Sequence, residues 1–317
     1  MADPRKKRMR VPESERESFY EAIATQGSPI AAELAQSVSA RERLNRAKFE
    51  KPQATRIMAV TNQKGGVGKT TTTVNIAAAL AKHGMNVLVI DSDPQGNAST
   101  ALGIEHHSDV ASIYDILLGG MSIAEVTEQS KEGPSLRVVP ATIELAGAEI
   151  ELVNVDDRER RLKVALDEYL STTSDRGEER VDYVLIDCPP SLGLLTINAM
   201  VAATEVFIPI QCEYYALEGL SQLLNNINLV KNSMNEVLEI STILLTMFDR
   251  RTNLSNEVAL DVREHFPDAT LNTKIPRSVR ISEAPSFQQT VITYDPASPG
   301  AIAYEQASLE IAKRGAK

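Results

Sequence analysis

The chain is poor in the residues that build covalent or metallic cross-links. Its 317 residues include two cysteines, Cys188 and Cys212, too few for a disulfide framework or, alone, a four-thiolate metal site. Both are expected to be free, buried thiols in a reducing cytoplasm. The four histidines, His83, His106, His107 and His265, show no ligand spacing, and the His106-His107 pair reads as a solvated loop. No apolar run is long enough to span a bilayer, and the first residues lack the apolar core of a signal peptide. A soluble, intracellular protein is the expectation. Positive charge is short as well. The formal net charge is −10, so the molecule gains nothing from its overall field in meeting a nucleic acid. Residues 1–54 hold 11 Lys and Arg against 8 Asp and Glu, a net of +3, which leaves the remainder at −13. Any DNA contact by that remainder has to come from a local basic patch.

What is present begins with size. A hydrophobic content of 43% over 317 residues supports a sizeable core and fits one large α/β domain with an appendage. The division is read as a basic N-terminal arm, 1–54, and a main domain, 55–317. In the arm, Arg5, Lys6, Lys7, Arg8 and Arg10 form a basic run, expected to be a solvated tail rather than a dedicated DNA-binding element. Phe19, Tyr20 and Ile23 are its few large apolar groups before Ser28-Pro29, an N-cap followed by proline at the first helical position. Ile30, Leu34 and Val38 then repeat at helical spacing. The arm is expected to be partly disordered or helical, with two short helices and a hinge at Lys51-Pro52.

From residue 56 the chain alternates apolar runs with helical patterns. Strands are predicted over 57–60, 87–90, 136–140, 183–186, 206–210 and 240–247. Helices are predicted after the loop at 68, over 113–118 and 157–170, through Leu217, Leu220, Leu224 and Ile227, and over 254–266 and 301–313. In the 157–170 helix, Leu162, Ala165, Leu166 and Tyr169 should face inward, and the polar stretch 171–180 should be a loop. There is no internal repeat. Continuous apolar strands separated by helices predict an α/β fold, a largely parallel twisted sheet with helices on both faces. Ligands bind such sheets at the carboxyl ends of the strands.

One stretch there carries chemistry. Ala59-Val60-Thr61-Asn62-Gln63-Lys64-Gly65-Gly66-Val67-Gly68-Lys69-Thr70-Thr71 joins an apolar strand to a helix, the context a phosphate-binding loop requires. Gly65, Gly66 and Gly68 let successive N–H groups face inward as an anion nest, to which the helix N-terminus adds partial positive charge. Lys69 can reach β- and γ-phosphates, and the Thr70 hydroxyl can ligate Mg²⁺. Gln63 stands where the general pattern has its first glycine, and Lys64 follows it. Asp187 closes an apolar strand in the Walker B manner and would hold Mg²⁺ through a water. Asp91 and Asp93 end another strand, and Pro94 predicts that the strand does not continue through both.

A lysine at the start of the loop marks the deviant Walker A motif, and KGGVGKTT resembles the ParA/MinD group of P-loop ATPases. The resemblance extends over roughly residues 55–312. Asp187-Cys188-Pro189-Pro190-Ser191-Leu192-Gly193, Gln211-Cys212-Glu213-Tyr214-Tyr215-Ala216-Leu217-Glu218-Gly219-Leu220, Arg251-Thr252-Asn253-Leu254, Ile275-Pro276-Arg277-Ser278-Val279-Arg280 and Ser282-Glu283-Ala284-Pro285-Ser286 look like chromosomal, Soj-like partition ATPases. The likeness implies ATP and Mg²⁺ as cofactors. It implies a sandwich homodimer in which Lys64 reaches the partner's nucleotide, with phosphate contacts along Lys64, Gly65, Gly66, Val67, Gly68, Lys69, Thr70 and Thr71. Thr70, Asp91 and Asp187 would serve the metal, Asp93 would position the attacking water, and the adenine would rest near Met247 and Pro276. It further implies non-specific binding of double-stranded DNA, release when a ParB-type partner stimulates hydrolysis, and a cytoplasmic, nucleoid-associated location. Arg251 matches a DNA-contacting arginine, with Arg277 and Arg280 as candidates beside it. Asn228 stands where Soj-like proteins commonly carry an arginine, and Lys231 or the basic N-terminal run would have to replace it.

Three other readings share the fold. A MinD-like membrane-positioning ATPase needs a C-terminal amphipathic helix with bulky apolar residues opposite basic ones. The tail offers mostly alanine with Ile302, Tyr304, Leu309 and Ile311, and no membrane partner is expected. An electron-transfer ATPase needs cluster cysteines at positions that Cys188 and Cys212 do not match. An amide- or ring-forming synthetase ranks last, because the QCEYYALEGL and RTNL strings together speak against it.

Overall fold

The computed structural model describes residues 29–175, 179–213 and 216–315. The basic run at 5–10, Phe19, Tyr20, Ile23 and the Ser28 cap lie outside the described residues, as do Tyr214 and Tyr215. The chain divides into two compact units, Met1–Ala47 and Lys48–Lys317. In the first, one 18-residue helix, α1 (Pro29–Arg46), covers the stretch expected to hold short helices. Its last turn carries Arg43 and Arg46, which favours the negative end of the helix dipole.

The second unit opens with a strap. Phe49 stacks on the His83 ring at 3.8 Å, Lys51 Nζ lies 3.3 Å from Asp182 Oδ2, and Arg180 donates to the carbonyls of Pro52 and Gln53. The expected hinge at Lys51-Pro52 is therefore held to the main unit by side-chain bonds that the local sequence does not display.

The strands are β1 (Arg56–Val60), β2 (Val87–Asp91), β3 (Glu128–Gln129), β4 (Leu136–Val139), β5 (Tyr183–Asp187), β6 (Glu205–Gln211), β7 (Glu239–Phe248) and β8 (Thr270–Pro276). They form one sheet in the order β3-β4-β2-β5-β1-β6-β7-β8, with antiparallel pairing at β3–β4 and parallel pairing elsewhere. Strands β2 and β5 are buried along their whole length, as expected when helices cover both faces.

The helices of this unit are α2 (Lys69–Lys82), α3 (Asn97–Ala101), α4 (Ile113–Leu118), α5 (Ile123–Val126), α6 (Leu145–Glu151), α7 (Arg161–Asp175), α8 (Leu194–Ala202), α9 (Ala216–Ser233), α10 (Asn253–His265), α11 (Val279–Glu283), α12 (Val291–Tyr294) and α13 (Pro299–Gly315). Two expectations shift. Helix α7 starts at Arg161 rather than at 157, because Asp157 takes a left-handed φ of 52°. It also runs to Asp175, through polar residues read as a loop, since a helix needs only one inward stripe and Leu162, Leu166, Tyr169 and Thr173 supply it. In α9 the buried stripe is Leu220, Leu223, Ile227 and Val230, with Leu224 half-buried.

Candidate nucleotide site

The phosphate loop leaves β1 under tight control. Thr61 N donates to Phe207 O at 3.0 Å, and Asn62 Nδ2 donates to Pro209 O at 2.8 Å while its Oδ1 accepts from Lys64 N at 3.1 Å. Gly66 and Gly68 take φ values of 75° and 88°, a conformation that disfavours any Cβ. Val67 is buried, and its carbonyl accepts from Thr246 Oγ1 at 2.8 Å, which pins the loop to β7. Helix α2 then starts with no capping side chain and no acid in its first turn. Its unsatisfied N–H groups are left for an anion.

The ionisable groups converge at this point. Register places Asp187 beside both Val60 and Asp91. Lys69 is buried, with Nζ 3.4 Å from Lys64 O. Burial lowers its pKa against the opposing pull of Asp187. Thr73 Oγ1 lies 3.1 Å from Asp187 Oδ1, and the Thr70 side chain is close enough to act on the same carboxylate. Asp187 Oδ2 is buried without a hydrogen-bond partner. Burial raises the Asp187 and Asp91 carboxyls, and their proximity raises Asp187 further. An orphaned carboxylate oxygen beside a threonine hydroxyl and below an uncapped helix end fits a hydrated Mg²⁺. Asp91 accepts from Ser99 N at 2.8 Å, from Ser99 Oγ at 2.7 Å and from Asp93 N at 3.2 Å. Asp93 follows the strand in a turn, as Pro94 predicted, and its Oδ1 accepts from Gln95 N at 3.0 Å. Thr71 stands in the first turn of α2, where its carbonyl accepts from Asn75 Nδ2 at 2.7 Å.

Lys64 points away from its own loop. Its Nζ lies 3.1 Å from Glu213 Oε2, and Glu213 also accepts from Gln211 Nε2 and sits 3.9 Å from Arg277. Met247 takes a φ of 50°, an uncommon conformation for a non-glycine residue. It follows Thr246, the anchor of the phosphate loop, and precedes Phe248, which pairs with Pro276 across β7–β8. The two residues expected near the adenine therefore neighbour each other at the carboxyl ends of adjacent strands.

Arg251, Arg277 and Arg280 also gather at that end of the sheet, each with an acidic partner. Arg251 bonds Asp249 in two-pronged fashion at 2.9 and 2.7 Å, and Arg280 meets Glu283 and Asp295. Lys231 does not join them. It lies in the last turn of α9, which runs back to the amino end of β7, beyond the exposed Asn228. Thr73, Ser99 and Glu213 were missed as site residues. The first had a signal, since it lies one helical turn beyond Thr70 in a threonine run. A cleft of about 930 Å³ lies elsewhere, lined in part by Arg137, Arg160, Arg161, Asp156 and Glu168, and shares no residue with the phosphate loop.

Closing helix α13 is mostly buried and packs on α2 and β8. No helix among the described residues is long and apolar enough to cross a membrane. Cys188 and Cys212 are free and buried, as expected.

A family profile described as "AAA domain" matches residues 55–240. Sporulation initiation inhibitor protein Soj of Bacillus subtilis is 52% identical over 260 residues, 82% of this chain and 99% of its own. Chromosome partitioning protein ParA of Caulobacter vibrioides is 49% identical over 259 residues, 82% of this chain and 94% of its own. Among solved structures, cobyrinic acid a,c-diamide synthase of Mycobacterium smegmatis with bound ATP analogue and magnesium is 38% identical, with a TM-score of 0.68 over 80% of this chain and 93% of that one. The MinD cell-division ATPase of Pyrococcus furiosus is 27% identical, with a TM-score of 0.65 over 82% of this chain and 99% of that one. The two curated matches span nearly their full lengths at about half identity: the chain belongs to the ParA/Soj family of deviant Walker A P-loop ATPases.

Proposed function

We propose that the protein is an ATP-dependent partition ATPase that closes into a sandwich dimer on ATP, binds duplex DNA without sequence preference, and lets go when a ParB-type partner stimulates hydrolysis. The observation that carries the reading is the pairing of an uncapped, carboxylate-free helix start with the orphaned Asp187 Oδ2. Together they ask for a polyphosphate and a divalent cation. Phosphoryl transfer by such proteins is mainly positioning and charge neutralisation. Backbone N–H groups of Gly65, Gly66, Val67 and Gly68 cradle phosphate oxygens, Lys69 neutralises the β- and γ-phosphates, and Thr71 extends the cradle into α2. Thr70 and Asp187 would hold Mg²⁺, with Asp91 in its outer shell, and the ion would supply positive charge against the phosphates. Asp93 orients the attacking water. Lys64 leaves Glu213 to reach the nucleotide of a second copy. Met247 and Pro276 flank the adenine.

Arg251, Arg277 and Arg280 are proposed to meet DNA phosphates. Lys231 lies at the opposite end of the sheet and would contact a different part of a duplex. Amide formation, the activity for which the 38% identical synthase is named, is a weaker reading, because the partition proteins match at 52% and 49%. The first unit, which ends at Ala47 rather than at 54, is proposed as an accessory arm. The test is DNA retention with ATP, with ADP and with a Lys69→Ala variant. ATP-bound wild type should bind duplex DNA and release it as salt rises, and the other two should not bind. Equal retention in all three states would remove nucleotide switching from the account.

A further inference from the structure

Helix α6 and the 3₁₀ turn that continues it (Leu152–Asn154) are apolar on two opposite faces. Leu145, Ala148 and Leu152 are buried against the domain, which accounts for one face. The other consists of Ile143, Ala146, Ile150 and Val153, spaced three, four and three residues apart, a single helical stripe. Ile143, Ile150 and Val153 are 63%, 76% and 55% exposed, and Ala146 is exposed with them. An apolar patch left in water with a polar rim marks a contact surface.

Acid borders the stripe on one side and at its end. Exposed Glu151 lies along that side and exposed Asp156 and Asp157 follow the end, whereas Glu149 turns inward to the domain. From 140 to 157 the chain has no Lys or Arg. Arg158 comes next, its Nη1 donating to Val153 O at 2.8 Å, and it is paired with Glu159. A second copy pairing through this same patch about a two-fold axis would bring rim acid against rim acid, which is unfavourable. A basic segment with apolar side chains meets both features.

The same helix also holds the segment that follows Asp187. Glu149 Oε1 accepts from Leu195 N at 3.4 Å. A Cβ on Gly193 would collide with that oxygen, so Gly193 is what permits the approach. Glu149 thus links α6 to Gly193 and Leu195, at the end of the segment that follows Asp187.

We propose that the stripe Ile143, Ala146, Ile150 and Val153 is the docking site for a basic, apolar segment of the activating protein partner, and that docking acts on hydrolysis through Glu149 and Gly193. The proposal rests on the reading that a ParB-type protein stimulates this ATPase. The test uses the full chain and the full-length ParB-type protein of the same cell, with Ile150→Asp and Val153→Asp made singly and together. Both side chains are exposed, so folding, basal hydrolysis and ATP-dependent DNA retention should stay within about twofold. Stimulation by the partner should fall about tenfold or more, as for a central contact residue. Glu151→Lys should weaken it further at low salt. Full stimulation of the double variant would overturn the docking site and leave the partition reading standing. No stimulation of the wild type would overturn both. Loss of the ATP-dependent dimer in the double variant, with no partner present, would show that a second copy covers the stripe and would equally overturn the proposal.

Discussion

Asp93 tests the chemistry most directly at the scale of single side chains. It is buried, yet it touches neither Lys69 nor Thr70 by hydrogen bond; its Oδ1 accepts only from the turn that it caps. The proposed role of Asp93 is to orient water rather than to hold phosphate. Asp93→Ala should therefore keep ATP and the ATP-dependent dimer while hydrolysis drops by about 10²–10⁴-fold, the usual worth of a positioned base. Light scattering with ATP and a phosphate-release assay check the two halves, and normal turnover would remove Asp93 from its role. Much of the site was legible residue by residue, because glycines at 65, 66 and 68 before Lys69-Thr70 have few other uses. Ser99 was not legible. Its link to Asp91 joins residues eight apart across a turn, and nothing in Asn97-Ala98-Ser99 announces that contact. Glu213 was hidden in the same way, since its partner Lys64 lies 149 positions away.

Single elements were legible where their burial was one-sided. Helix α7 announced itself through a clean inward stripe, whereas α8 did not, because seven of its nine residues are buried and a helix covered all round has no period to read. Strand β8 was missed for the reverse reason. It is an edge strand, its burial is uneven, and Thr270, Asn272, Thr273 and Lys274 dilute its apolar pattern. Closing helix α13 carries a testable element-scale device. Glu305, almost wholly buried, meets Lys82 Nζ at 2.7 Å and His83 Nε2 at 3.0 Å at the end of α2. Burial acts to raise the Glu305 carboxyl, but the His83 and Lys82 bonds together outweigh it and hold the pKa below the ordinary 4.5. A carboxyl depressed on folding stabilises above its unfolded pKa and loses that contribution as pH falls through the folded value. Glu305→Gln should lower stability near neutral pH by roughly 1–3 kcal/mol. It should also flatten the fall of Tm below pH 4.5, measured by thermal melts across that range. A variant whose acid limb matches the wild type would show that the contact between α2 and α13 does not depend on this charge.

At the scale of the whole molecule, DNA binding has to work against the protein's own charge. The main domain is acidic, so on the proposed reading affinity comes from Arg251, Arg277 and Arg280 at one end of the sheet, each of which has a carboxylate nearby. Arg251 shows the competition most plainly. Asp249 grips it with two hydrogen bonds, and those bonds hold the Asp249 pKa down at about 2, so the carboxylate stays charged throughout the physiological range. A DNA phosphate must then replace Asp249, and the exchange gains chiefly through counterion release, which contributes a slope of about −0.9 per neutralised phosphate in log K against log salt. In a dimer each substitution removes two contacts. Arg251→Ala should therefore reduce the magnitude of the salt slope by about 1.8, on the same per-phosphate figure. Asp249→Ala, which frees the arginine, should tighten binding at every salt concentration without changing the slope. Duplex binding titrated with ATP between low and physiological salt reads both numbers. An unchanged slope in Arg251→Ala would move the DNA face away from the carboxyl ends of β7 and β8, and would turn attention to Lys231 at the far end of α9.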